Sequence, residues 1–338
     1  MQFNKSTSPY LHNTRDIPTV MRLVLLALLP GTIAYYYFFG WAILINITIA
    51  CITAVICEAL MLALRNRPLL FLKDYSAILT ACLLALALPT LAPWWLIVLA
   101  CFFAIVAGKH LYGGLGYNPF NPAMIGYVVV MVSFPQYMTQ WLLPDIDLSL
   151  IQTLQLQFQG ITPVSMTLDS ITSATPIDSI KTGLSLDLPL SQITSSSLFG
   201  AVGGAGWEWI ASGFLLGGVW LLYKDIITWH IPAGLLATLA LMAAIFYIVS
   251  PEHYSNPAFQ LFSGGTMLTA FFIATDPVSA STTPRGKIIY ASGIGLITYI
   301  IRTWGGYPDG IAFAVLLMNM TVPTIDYYTR PRVFGVKR

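Results

Sequence analysis

The chain has 338 residues, of which 57% are hydrophobic and only 9% charged, with a formal net charge of +2 and 4 cysteines. Its mean hydropathy is +0.74, far above what a water-soluble core of this length requires. These values exclude an ordinary soluble enzyme and indicate a chain that crosses a bilayer many times, with lipid as a partner and nucleic acid excluded.

A polar segment, 1–19, carries Lys5 and Arg15 and is followed by no small-residue cleavage pattern, so it is expected to lead into an anchor rather than a removable leader. Crossing the hydrocarbon takes about 20 predominantly apolar residues, fewer where a helix is broken. About ten such stretches follow, over approximately 20–39, 41–64, 75–92, 93–108, 122–135, 208–223, 231–250, 258–275, 287–303 and 309–324. The expected fold is an all-α polytopic membrane protein. Its first five-helix half covers 20–135 and its second 207–324, with a long polar loop at 136–206 and a basic tail at 325–338.

Basic residues favour the cytoplasmic side of short loops. With the N-terminus inside, all of the 16 Lys and Arg residues except Lys181 and Arg302 fall on that side. Both termini are therefore expected in the cytoplasm, and the 136–206 loop on the periplasmic face of a bacterial inner membrane.

Short matches relate the halves. Leu79, Thr80 and Ala81 recur as Leu268, Thr269 and Ala270, and Gly113 and Gly114 precede the fifth stretch as Gly305 and Gly306 precede the tenth. Five spans per half makes the copies inverted, a plan common in transporters, although two independently Gly-rich helix starts give the same matches. Breaks are expected at three places: 109–122, with its glycines and Asn-Pro pairs; Asn256 and Pro257 followed by Ser263, Gly264 and Gly265; and 274–280 around Asp276 and Pro277. Irregular backbone at membrane depth is tolerated only where it is buried in protein or lines a cavity.

Within the polar loop, Asp169, Ser170, Ile171, Thr172, Ser173, Ala174 and Thr175 read D-S-I-T-S-A-T. This run resembles the acceptor sequence of flavin transferases, D-x-x-[S/T]-[S/G]-A-T, in which the last threonine is joined through its hydroxyl to the phosphate of FMN. The alternative is a Ser/Thr loop that hydrogen-bonds its own backbone.

Four stretches in this order, the third overlapping that run, carry a wider resemblance: G-K-H-L-Y-G-G-L-G-Y-N-P-F-N-P-A-M-I-G-Y at 108–127, S-F-P at 133–135, T-S-A-T-P at 172–176 and A-T-D-P-V-S-A-S at 274–281. The whole chain resembles the RnfD/NqrB family of membrane subunits of ion-pumping flavoprotein oxidoreductases, and its short N-terminal segment resembles the RnfD branch more than the longer NqrB one. The resemblance implies electron transport within an Rnf complex, alongside its A, B, C, E and G components, coupled to Na⁺ or H⁺ movement. It implies covalent FMN on Thr175, attached by a flavin transferase that recognises Asp169, Ser173 and Ala174, and a second, non-covalent flavin, riboflavin, within the spans. A turn-capping role for Asp169 is the alternative, and Ser170 stands where the acceptor motif often has glycine. An NqrB-like subunit of a sodium-pumping NADH:quinone reductase is the neighbouring reading, and a cofactor-free channel or secondary transporter the reading from another class.

Other candidates are a possible ion or second-flavin site at Asp276, Asn118, Asn121 and Glu58. Each has a plainer role: Asp276 and the asparagines as caps of broken helices, Glu58 as a carboxyl protonated, paired or near water because a lone buried anion is costly. Lys109 and His110 are expected at a cytoplasmic interface. Cys51, Cys82, Cys57 and Cys101 form no C-x-x-C pair and read as buried structural thiols. No phosphate-cradling loop, zinc pattern or nucleophilic triad appears, so no metal is expected and the chain is not expected to act alone.

Overall fold

The structure is a computed structural model describing residues 16–331, apart from residues 145, 164–166 and 308 and the side chains of Leu168 and Asp169. Two long helices open the chain. Helix α1 (Ile17–Phe39) starts at Asp16, whose carboxylate accepts from the Thr19 amide at 3.1 Å, and stops at Gly40. Gly40 has φ +60°, a conformation that costs glycine nothing, and it passes the chain directly into α2 (Trp41–Leu64). Both are long and apolar enough to cross a membrane, as are α12 (His230–Val249) and α16 (Ile311–Thr329).

The remaining helices of the first half are shorter. Helix α3 (Ser76–Ala87) follows Tyr75, and α4 (Trp94–Phe102) continues as a π-helical stretch, Phe103–His110. Helix α5 (Pro122–Ser133) is capped by Asn121, which accepts from the Met124 amide at 3.2 Å. The second half comprises α11 (Trp207–Tyr223), α12, a short α13 (Pro257–Phe262), α14 (Thr266–Leu268) running on as π-helical Thr269–Ile273, α15 (Pro284–Trp304) and α16.

Each of the ten expected stretches contains helix, with differences in extent, the third ending at Ala87 and not at 92. The first helix begins earlier, at Ile17, and the last runs on to Thr329. The 258–275 stretch is two pieces, because Ser263, Gly264 and Gly265 interrupt it. The 109–122 and 274–280 breaks fall where Asn-Pro and Asp-Pro pairs remove amide donors.

The polar interval is not a loop. It carries α6 (Pro135–Met138), β1 (Trp141–Leu142), α7 (Leu150–Gln159), α8 (Leu168–Ile171), β2 (Thr172–Ser173), α9 (Pro176–Ser185) and α10 (Leu190–Ile193). Strands β1 and β2 pair antiparallel, Trp141 opposite Ser173 and Leu142 opposite Thr172. Helix α7 is tied to the first half by Gln157, which donates at 2.9 Å to Asn46 and at 2.8 Å to the Thr90 carbonyl. Asn46 in turn donates to Pro89 and Thr90 carbonyls at 3.0 and 3.3 Å, so the broken backbone after α3 is satisfied by side chains rather than water.

Helix α1 packs along α11, α2 against α3 and α4, α4 against α5, α12 against α13 and α15, and α15 against α16. Lipid offers no hydrophobic gain for helix association, so close packing of small residues must supply it. At the α1–α11 contact a side-chain carbon on Gly213 would lie 2.8 Å from the Gly31 Cα. Only glycine allows that approach.

Candidate functional site

Helices α1, α3 and α11 each line one cavity with the residues near one end and a second cavity with those near the other, and α5 borders both. The first cavity is bordered by Tyr35 of α1, Leu86 of α3, Tyr127 of α5, Phe214 of α11, and by Thr175, Thr269 and Asp309. The second is bordered by Val24, Ser76, Ala123 and Leu221 of the same four helices, and by Lys109, Asn118, Asn121 and Asp276.

Thr175 reaches the first cavity because the strands hold the chain before it and α9 holds the chain after it. The Leu142 amide donates to Thr90 Oγ1 at 3.2 Å, pinning β1, and β1 carries β2 with Ser173. Ala174 spans the gap. Thr175 is the N-cap of α9, its Oγ1 accepting from the Asp178 amide at 3.2 Å, with Pro176 supplying a pre-set first turn. The hydroxyl therefore sits at the positive end of a helix, a favourable place for a negative group. Asp169 belongs to α8, and its side chain lies outside the described residues.

Around Thr175 the wall is aromatic. Trp141 and Trp207 meet edge to face at 4.9 Å, Tyr35 contacts Trp207 at 5.8 Å, and Phe214 stands 6.3 Å from Tyr35. Thr269, in the π-helical stretch, is fully buried, and its hydroxyl has no hydrogen-bond partner among the described residues. Such a group normally finds one. A flat, largely apolar ligand with a few polar edge atoms, tethered at Thr175, fits this lining.

Just outside the cavity, Lys181 of α9 donates to the Tyr307 carbonyl at 2.7 Å and to the Ile301 carbonyl at 3.2 Å, capping the end of α15. Burial lowers the Lys181 pKa while Asp178 raises it; for Asp178, burial raises the pKa and Lys181 lowers it, with burial the larger cause in both. Arg302, buried in the last turn of α15, pairs with Asp309 at 3.1 Å. The two basic residues that break the charge bias are thus both committed within the protein.

At the second cavity the sequence candidates divide. Asp276 accepts from the Ser279 amide at 3.3 Å and hydroxyl at 2.6 Å, closing its own turn. Asn121 caps α5 and also donates to the Ile273 carbonyl at 3.1 Å, while Asn118 donates to the Phe120 carbonyl at 3.0 Å. Glu58 does not line the cavity; it is paired. Lys109 Nζ donates to its two oxygens at 2.7 and 2.8 Å and to Ser76 Oγ at 2.7 Å, and His110 Nε2 lies 3.2 Å from the same carboxylate. Lys109 and His110 are buried within the protein at 2% and 4% exposure. Both lie in the last turn of the π-helical stretch.

Sequence reasoning also missed Asp309, Tyr127 and Trp141 at the first cavity. The signal available was Arg302, a charge within an apolar helix, which demands a buried partner. Of the cysteines, Cys57 and Cys101 are buried as expected, whereas Cys51 and Cys82 are partly exposed with their sulfurs 3.8 Å apart. Among the described residues no group of three His, Cys, Asp or Glu side chains could hold a metal ion.

Residues 4–335 match the NQR2, RnfD, RnfE family. The chain is 50% identical over 351 residues to a protein of Aliivibrio salmonicida that is named as the D component of an ion-translocating oxidoreductase complex, and 50% identical over 352 residues to one of the same name from Escherichia fergusonii. A third, from Erwinia tasmaniensis, is 49% identical over 351 residues, covering 100% of this chain and 99% of its own. For the first two the coverage is 100% of both chains. A match over nearly the full length, with relatives at half identity, means that the chain belongs to the NQR2, RnfD, RnfE family.

Proposed function

We propose that this chain is the D-type membrane component of a bacterial ion-translocating oxidoreductase complex, and that it relays electrons through FMN joined to Thr175. The observation that carries the reading is that the last threonine of the acceptor run also lines the aromatic cavity. FMN supplies a carrier that takes two electrons and passes them on singly. The chain supplies its position. The strand pair holds Thr172 and Ser173 of the acceptor run extended, the α9 N-terminus turns the positive end of its dipole to a phosphate, and Trp141, Trp207 and Tyr35 shield the ring from water.

The second cavity is the proposed place of the non-covalent riboflavin, with Asn118, Asn121, Asp276 and Lys109 as its polar lining. Two cavities served by opposite ends of α1, α3 and α11 support a plan of two inverted five-helix halves and ten crossings. On this plan Thr175 faces the periplasm, and the second cavity and both termini face the cytoplasm, in keeping with the basic residues. The other components of the complex exchange electrons with this one, and Na⁺ or H⁺ moves in the coupled step.

The test is direct. Chain produced together with a flavin transferase is denatured, run on a gel and viewed under ultraviolet light, and its peptides are weighed. A fluorescent band and an FMN-sized mass on the peptide containing Thr175 support the reading; a colourless, unmodified peptide sinks it and favours a cofactor-free transporter.

A further inference from the structure

Asp309 does more than neutralise Arg302. Its carboxylate accepts four donors: Arg302 Nε at 3.2 Å and the Ile311 amide at 3.2 Å on one oxygen, Arg302 NH2 at 3.1 Å and the Gly265 amide at 3.2 Å on the other. Those amides open α16 and α14, so one side chain ties together two helix starts at the wall of the Thr175 cavity. Arg302 is itself anchored, donating to the Gln260 carbonyl at 2.9 Å and to Thr266 Oγ1 at 3.0 Å. The bidentate Arg–carboxylate pair, with further bonds on both partners, fixes the carboxylate at the cavity wall. The same cavity is lined by the fully buried Thr269, whose hydroxyl has no hydrogen-bond partner among the described residues. Gly264 backs onto the pair so closely that a side-chain carbon there would collide with Asp309 and Arg302, while Thr269 Oγ1 lies 3.9 Å from where a carbon on Gly265 would stand.

We propose that Asp309, positioned by Arg302, and the Thr269 hydroxyl are the polar groups that meet the heteroatom edge of the ring system carried by Thr175, and that the Asp309 charge lowers its reduction potential. This rests on the flavin reading of Thr175. Reduction by dithionite, itself oxidised to sulfite, places two electrons on the ring, and protons taken up from water neutralise the added charge in whole or in part. A fixed carboxylate in a low-dielectric wall opposes whatever negative charge remains. Arg302 touches no ligand on this account. It acts by holding and balancing Asp309.

The experiment is a redox titration of the purified full chain, with the covalent flavin identified by its loss in Thr175→Ala. Asp309→Asn should raise the midpoint potential by at least the ~30 mV that equals a tenfold change for a two-electron couple. Arg302→Lys, which keeps the charge, should stay within that amount. Thr269→Val removes a hydroxyl with no protein partner, so it should leave folding intact while shifting the visible absorption of the bound flavin. If Asp309→Asn keeps the fluorescent band and the wild-type potential, the proposal is wrong. If Asp309→Asn fails to fold, Thr269→Val decides, an unchanged spectrum overturning the assignment. A wild-type chain without a fluorescent band overturns the tether itself, and this proposal falls with it.

Discussion

Lys109 and Glu58, 51 positions apart, form a buried ion pair in which one ammonium bridges both oxygens of one carboxylate at 2.7 and 2.8 Å. It joins α2 to the π-helical end of α4, and Ser76 brings in α3. The arrangement locates three helices against one another without any contribution from lipid.

Breaking that pair should be costly from either side. Glu58→Gln or Lys109→Met alone leaves an uncompensated buried charge, and each should destabilise the detergent-solubilised protein by about 3–5 kcal/mol. The double variant should lose less than the sum of the two. Thermal unfolding of all four proteins gives the coupling, and strict additivity would show that the pair does not interact.

Thr175 has a structural duty apart from any modification, since its hydroxyl caps α9. Thr175→Ala should weaken α9 by about 1 kcal/mol, whereas Thr175→Asn keeps a capping oxygen. Neither can be esterified. The expected outcome is a well-folded Thr175→Asn chain with no flavin fluorescence on a denaturing gel, which separates attachment from folding. A fluorescent Thr175→Asn band would move the attachment to another residue.

Asp178 gives a pH dependence outside the membrane. Its pKa is raised above 3.8, chiefly by burial. A raised folded-state pKa contributes stability that is present below the unfolded value and is lost as pH rises through the folded value. Asp178→Asn should therefore stabilise the 136–206 region at neutral pH, with the advantage fading as pH falls towards 3.8. Protease protection measured across that range is the check; an advantage independent of pH would contradict it.

The glycine contact between α1 and α11 predicts a steric defect. Gly213→Val places carbon where the Gly31 backbone already lies, 2.8 Å from the new Cβ. Overpacking of this kind should lower stability by about 1–3 kcal/mol. Detergent melting should show the loss, and an unchanged melting temperature would mean that the two helices do not meet there.

Orientation has its own test. A reporter active only outside the cytoplasm, fused close to Lys181, should be active, and one fused after Arg332 should not. The reverse pattern would invert the proposed arrangement of the cavities.

Much of this protein is written in local order. Apolar runs long enough for helices, a cap such as Asn121 ahead of Pro122, and the interruptions at Gly264 and Pro277 are properties of neighbouring residues, so the ten helical stretches and their breaks are legible from composition and spacing alone. The acceptor run ending in Thr175 is legible for the same reason. Tertiary structure decided what those residues face. Glu58 finds Lys109 across 51 positions, Asn121 reaches the Ile273 carbonyl across 152, and Asp309 stands beside Gly265 across 44. Nothing in hydropathy distinguishes a charge at an interface from one buried against a partner, because the partner is brought by packing and not by sequence position. The polar interval reads as a loop for a related reason: its order comes from Gln157 and Thr90 bonds to the first half, and not from the propensity of its own short helices.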